Sequence, residues 1–252
     1  MLILKQLFKY YLYMIFIFLI GRVALLIIYF ERYSNMDVNY WMSFVYGLKM
    51  DTMLSCYFLI IPAILLTFTP KFLSSFVNIF LKYYFFFVIS FLLYIEVATF
   101  PFIEFYDSRP NYLFVEYLEY PKEVFGMIIA DYKMALFASF MLIMTFAYIY
   151  FKNFKNEFIQ AIIETGYLKR LFLFIPISLL IFIGIRSSFG HRPANISDAM
   201  YSSSRILNEI TKNSLYSIVY AIYSTKKHSS KDIASRYGDM KIKEAISRVP
   251  KD

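Results

Sequence analysis

Four charged residues fall inside stretches otherwise fit for hydrocarbon: Arg22 directly after Gly21, Lys49 and Asp51 within YGLKMDTML, and Glu96 near the end of a third apolar run. A charge at such depth costs about 2.5–3.5 kcal/mol on insertion scales unless it is paired or hydrated, so each marks a candidate site. Arg22 with Asp51, or Lys49 with Glu96, would make neutral pairs. A polar pocket shared by all four would hold a phospholipid headgroup. In the competing reading, Lys49 and Arg22 snorkel to the interface and Asp51 merely neutralises one of them. Farther along, Arg109 stands beside Pro110 and Asn111. Its forked guanidinium suits a lipid phosphate, and a salt bridge to Asp107 or Glu116 is the alternative. Arg186, His191 and Arg192 follow the last long apolar run, where they would touch an anionic headgroup or anchor a helix end.

Catalytic chemistry has no comparable footing. A metal site needs His, Cys or carboxylate ligands at converging spacing, and the chain has two histidines, His191 and His228, and one cysteine, Cys56, within an apolar run. HExxH, CxxC, GxSxG, Walker and GxGxxG patterns are all missing from the sequence. The residues alone therefore point to lipid binding and anchoring, with no catalytic and no metal-ligating position assigned.

The elements that carry these residues are membrane spans. The 252 residues are 60% hydrophobic and 21% aromatic, with mean hydropathy +0.55, against about 45–50% apolar in a soluble domain. The net charge of +8 does not form the aromatic-interleaved basic patch of a nucleic-acid binder. Its cations lie in short connections between apolar runs. A helix needs about 20 apolar residues to cross the hydrocarbon core, and five stretches qualify: Leu7 to Phe30, Tyr40 to Phe68, Phe76 to Phe100, Met134 to Phe151 and Leu168 to Ile185. The first is too long for a signal peptide and lacks a cleavage site, so it is expected to remain as an anchor. The expected fold is an all-α membrane protein with a five-helix transmembrane domain over 1–185 and a helical tail over 186–252.

Orientation follows from lysine and arginine in the short loops. Lys5, Lys9, Lys71, Lys82, Lys152, Lys155, Lys169 and Arg170 all fall on one side if five helices alternate, whereas the connection from Pro101 to Lys133 holds three basic and six acidic residues. The N-terminus is then cytoplasmic and the tail extracytoplasmic, and the four intramembrane charges lie in the outer leaflet or near the midplane. The tail carries twelve Lys and Arg, but the charge rule weakens beyond about 60 residues. The connection itself alternates aromatics with acids, a composition of interfacial belts. Within the tail, Ile206, Leu207, Ile210, Ile218 and Ile222 recur at near-helical spacing. The spacing predicts an amphipathic helix lying in the interface, capped by Ser197 or Asp198, or packed under a following soluble domain.

The element GLKMD, the loop SRPNYLFVEYLEYPKEV and the stretch RSSFGHRPANISDAMYSSSRILNEITKNSLYSIVYA together resemble the membrane half of the lipoteichoic-acid-synthase-like family. These are phosphoglycerol transferases with a sulfatase/alkaline-phosphatase-type domain, and phosphoethanolamine transferases of lipid A share the plan. The resemblance implies an extracytoplasmic α/β domain with a catalytic threonine and Zn or Mn, which moves a phospholipid headgroup to an acceptor through a phospho-threonine. It implies no catalytic residue here, because the chain ends at Val249-Pro250-Lys251-Asp252, about where that domain would begin. The expected role is a membrane-anchoring, lipid-presenting region in a bacterial plasma membrane. Its expected partners are the phospholipid bilayer, phospholipid headgroups and a separate or downstream catalytic domain; nucleic acid is not among them. The alternative is a stand-alone, non-catalytic protein that binds lipid or scaffolds an envelope complex.

Overall fold

The computed structural model describes residues 2–117, 120–188 and 190–224. His228 and the tail beyond 224 lie outside the described residues. No strand occurs among the described residues, and the protein is an all-α membrane protein with five helices long and apolar enough to cross a bilayer. These are α1 (Leu2–Ile28), α2 (Met42–Phe68), α3 (Ser74–Tyr106), α6 (Lys133–Asn153) and α8 (Tyr167–Arg186). Between them lie the short helices α4 (Tyr112–Tyr117), α5 (Pro121–Asp131) and α7 (Glu157–Glu164), and the tail contributes α9 (Arg205–Thr211). The long helices are apolar around most of their circumference, the pattern of a lipid-embedded segment. Helical hydrogen bonding satisfies their backbones where water is excluded.

Two spans outrun the sequence expectation. The first begins at Leu2 rather than Leu7, and α3 passes through Pro101 to Tyr106, beyond the expected end at Phe100. Proline removes one backbone donor, which a membrane helix tolerates when neighbours re-satisfy the freed group. The helix stops where Asp107 adopts the left-handed conformation, φ 53°, which aspartate tolerates better than most residues.

The most buried span is α2, with α8 and α1 packed on it, while α6 is held at the periphery by α3. The main core joins Met14 and Phe18 of α1 to Leu54 and Leu66 of α2 and to Phe85, Ile89 and Leu92 of α3. At one end of the bundle, Phe158, Ala161 and Ile162 of α7 are fully buried, and Tyr10 stacks on Phe85 at 3.7 Å. There Glu157 accepts from Tyr10 Oη at 2.7 Å and pairs with Lys9 Nζ at 2.6 Å. Arg170, fully buried, donates from Nη1 to the carbonyls of Leu66 and Thr69 at 3.0 and 2.7 Å, closing the C-terminal turn of α2. Those contacts bring the three lysine-bearing regions of the sequence to the same end.

The tail differs from the single interfacial helix that its spacing predicts. It forms a 3-10 turn (Ile196–Ala199), then α9, then a helical run over 214–224. The cap of the turn is Asn195, whose Oδ1 accepts from Ser197 N at 2.8 Å while Asp198 Oδ2 accepts from Asn195 N at 2.7 Å. Neither Ser197 nor Asp198 caps a long helix. Ile206, Leu207 and Ile210 bury against Leu25, Leu26, Tyr33 and Ile103, and Ile218 joins the main core. The amphipathic stripe thus covers protein rather than lipid. The helical path breaks at Asn213, which accepts from Tyr216 N through Oδ1 at 3.2 Å and so caps the run that follows.

Candidate functional site: a buried charge network

The break at Asn213 lies over the charged residues of α1, α2 and α3. Arg22 and Asp51, 2% and 1% exposed, form a two-pronged pair: Nη1 donates to Oδ2 at 2.7 Å and Nη2 to Oδ1 at 3.1 Å. Planar guanidinium and carboxylate match in this arrangement, which fixes orientation as well as distance. Two tail groups complete it. Arg22 Nη2 also donates to the Thr211 carbonyl at 3.3 Å, and Asn213 Nδ2 donates to Asp51 Oδ1 at 3.0 Å. Gly47 is what lets α2 approach, because a methyl there would overlap the Arg22 guanidinium. Gly21 plays the same part toward Glu96, whose carboxylate a methyl there would overlap.

A second knot surrounds Arg109, 2% exposed just past the end of α3. Its Nε donates to the Glu209 carbonyl at 2.8 Å and its Nη2 to the Ile210 carbonyl at 3.0 Å, which satisfies the C-terminal turn of α9. Nη1 donates to Ser214 Oγ at 2.6 Å and stands 3.6 Å from Glu96 Oε1. The Arg109 amide donates to Glu209 Oε2 at 2.9 Å, and Lys212 Nζ holds Glu209 Oε1 at 2.6 Å. Ser214 Oγ also meets Thr99 Oγ1 at 2.6 Å, tying α3 to the tail a second time. Burial pulls the Arg109 guanidinium below its ordinary pKa, and the Glu96 carboxylate opposes that shift. Arginine starts so far above neutrality that it stays charged.

Of the eight sequence-predicted site residues, the fold gathers Arg22, Asp51, Glu96 and Arg109 into this network. The pair Arg22–Asp51 forms as the sequence suggests, while Lys49–Glu96 does not. Lys49 lies on the other side of α2, with Nζ 5.0 Å from the Tyr46 ring, and Glu96 turns to Arg109. The alternative offered for Arg109, a bridge to Asp107 or Glu116, takes another form: Arg109 stands against Glu96, and Asp107 pairs with Arg32 at 2.5 Å on the half-exposed rim. The two arginines meet carboxylates and carbonyls of the protein itself, and the two carboxylates meet these arginines.

The other four predicted residues lie outside the network. Arg186 turns back on its own loop, donating to the carbonyls of Ser188 and Gly190. His191 and Arg192 are exposed. Ala194 clusters with Met50 and Met53, so it lies against the stretch of α2 that carries Lys49. Arg186 is tied to Ala194, for its carbonyl accepts from Ala194 N at 2.9 Å.

Sequence reasoning missed Thr99, Glu209, Thr211, Asn213 and Ser214, because polar positions on an amphipathic helix read as a solvated face. The available signal was the need of each intramembrane charge for a partner. These contacts make the network a clamp between segments remote in sequence. No group of three or more His, Cys, Asp or Glu residues that could hold a metal occurs among the described residues. No family model and no solved structure matches this chain.

Proposed function

We propose that this protein is a membrane platform that anchors, and presents lipid to, a headgroup-transferring envelope enzyme of the phosphoglycerol or phosphoethanolamine transferase type. A metal-dependent extracytoplasmic domain, with Zn or Mn, carries out the chemistry. The observation that supports this reading most is the double clamp on the tail. Arg22–Asp51–Asn213 and Arg109–Glu96–Ser214 fix 205–217 into the bundle and make it a firm base for a domain working at the membrane surface. In this reading Lys49, Arg186 and Arg192 are the lipid-facing cations and His191 is a polar headgroup contact, since none of the four belongs to the network. The clustering of Lys5, Lys9, Lys71, Lys82, Lys152, Lys155 and Lys169 toward the opposite end supports a cytoplasmic N-terminus, an extracytoplasmic tail and a bacterial plasma membrane.

The alternative is a stand-alone protein that binds lipid or scaffolds an envelope complex. It is favoured by the charge network, in which Arg22 and Asp51 pair with each other and Arg109 with Glu96 inside the bundle. Headgroup-labelled phosphatidylglycerol or phosphatidylethanolamine separates the two. Membranes from cells that make the protein should release diacylglycerol and transfer the label, and cells deleted for the gene should not. Purified chain in proteoliposomes should release none. Turnover by the purified chain alone would overturn the platform reading, and equal transfer with and without the gene would leave the scaffold.

A further inference from the structure

At the end of the bundle away from the tail, α1 and α6 both pack on α3 but scarcely meet each other. Between them runs a groove of about 480 Å³. Tyr13, Phe16 and Ile20 of α1 form one wall, Leu142, Phe146 and Ile149 of α6 the other, and Ile89 of α3 lies at its base. Three features define what fits it. The groove opens between two candidate spans, so it faces hydrocarbon. From Lys9 to Ile20 the α1 wall is about 16 Å long at ~1.5 Å per residue, about half of the ~30 Å hydrocarbon core; that is the depth of one leaflet and the reach of one acyl chain. Its charged and amide groups gather at one mouth, where Lys9 and Asn153 stand.

The charge at that mouth is predominantly positive, with Glu157 as the carboxylate among the lysines. Lys9 pairs with Glu157, and its side chain remains a third exposed. Lys5 lies one turn away on α1, and Lys152 and Lys155 flank Asn153 and Phe154, all three exposed. Lys82 Nζ stands 5.2 Å from the ring of Phe154, itself part of the groove. We propose that this groove binds a phospholipid of net negative charge, one acyl chain lying between α1 and α6 and the headgroup among these lysines. The Tyr10, Tyr13 and Tyr150 rings provide the amphipathic surface typical of such a boundary. The site is separate from the tail network and does not depend on the platform reading.

Native mass spectrometry of the intact chain in mild detergent tests this, with phosphatidylserine and phosphatidylcholine of identical acyl chains as probes. One phosphatidylserine should be retained per chain, at least tenfold over phosphatidylcholine. Thr145→Trp, which fills the groove from α6, should abolish retention, and Leu142→Trp provides an independent filler should the first variant misfold. The Lys5→Gln/Lys152→Gln double variant should lower the selectivity for phosphatidylserine and leave phosphatidylcholine unchanged. Equal retention of the two lipids, undiminished retention in the folded filler variant, or a lipid-free dimer would each overturn the assignment.

Discussion

Arg22 and Asp51 show how a buried pair sets the tolerance of a position. Both are out of water, so removing one leaves the other uncompensated, at a cost of about 3–5 kcal/mol. Asp51→Asn should lower stability by that order in a denaturant titration in detergent, whereas Asp37→Asn, at an exposed position of the first connection, should be silent. Equal effects of the two would remove the pair from the account. Gly47→Ala should behave like Asp51→Asn, because the added methyl pushes the guanidinium off its carboxylate. The pairing of Arg22 with Asp51 was legible in the sequence as two opposite charges in neighbouring apolar runs. The partner of Glu96 was not: Lys49 has the right sign and depth but points to the other side of α2. Facing is a property of helix rotation, and apolar runs this uniform leave rotation unmarked.

At the scale of elements, two arginines finish helices they do not belong to. Arg109 takes the terminal carbonyls of α9, and Arg170 takes those of α2. Helix ends leave carbonyls unpaired, and a cation at a C-terminus also favours the helix dipole. Arg109→Ala should free the segment 205–217. Its amides should exchange hydrogen roughly a hundredfold faster, the factor that ~3 kcal/mol gives at ~1.4 kcal/mol per decade. Unchanged exchange would mean that the apolar contacts of Ile206, Leu207 and Ile210 hold the tail without the clamp. Arg170 is a different case, since its Nε and Nη2 find no hydrogen-bond partner among the described residues. Arg170→Ala should destabilise by about 1–3 kcal/mol, the cost of orphaned carbonyls. Arg170→Met should cost less, because it restores packing and removes the unpaired donors. A larger loss for the methionine variant in the same titration would contradict that ranking.

For the whole molecule, the contacts Lys9–Glu157 and Arg170–Thr69 join the N-terminal helix, the α2–α3 turn and the α6–α8 connection at one end. The alternation of five spans requires the same grouping. Single cysteines placed at Tyr120 and Lys155 in a Cys56→Ser background test the orientation proposed above. Tyr120→Cys should react with an impermeant thiol reagent added to intact cells, and Lys155→Cys only after permeabilisation. The reverse pattern would invert the molecule.

The sequence alone determined the all-α membrane class and the five spans, because length and hydropathy act locally and lipid enforces them strongly. It also marked Arg22, Asp51, Glu96 and Arg109 as residues needing partners. Only the tertiary structure decided who those partners are. The tail's amphipathic stripe is equally suited to a membrane surface and to a protein surface, since both offer apolar cover. What ties it to the bundle is the set of buried charged groups around α1, α2 and α3, whose remaining hydrogen bonds the tail supplies where water cannot.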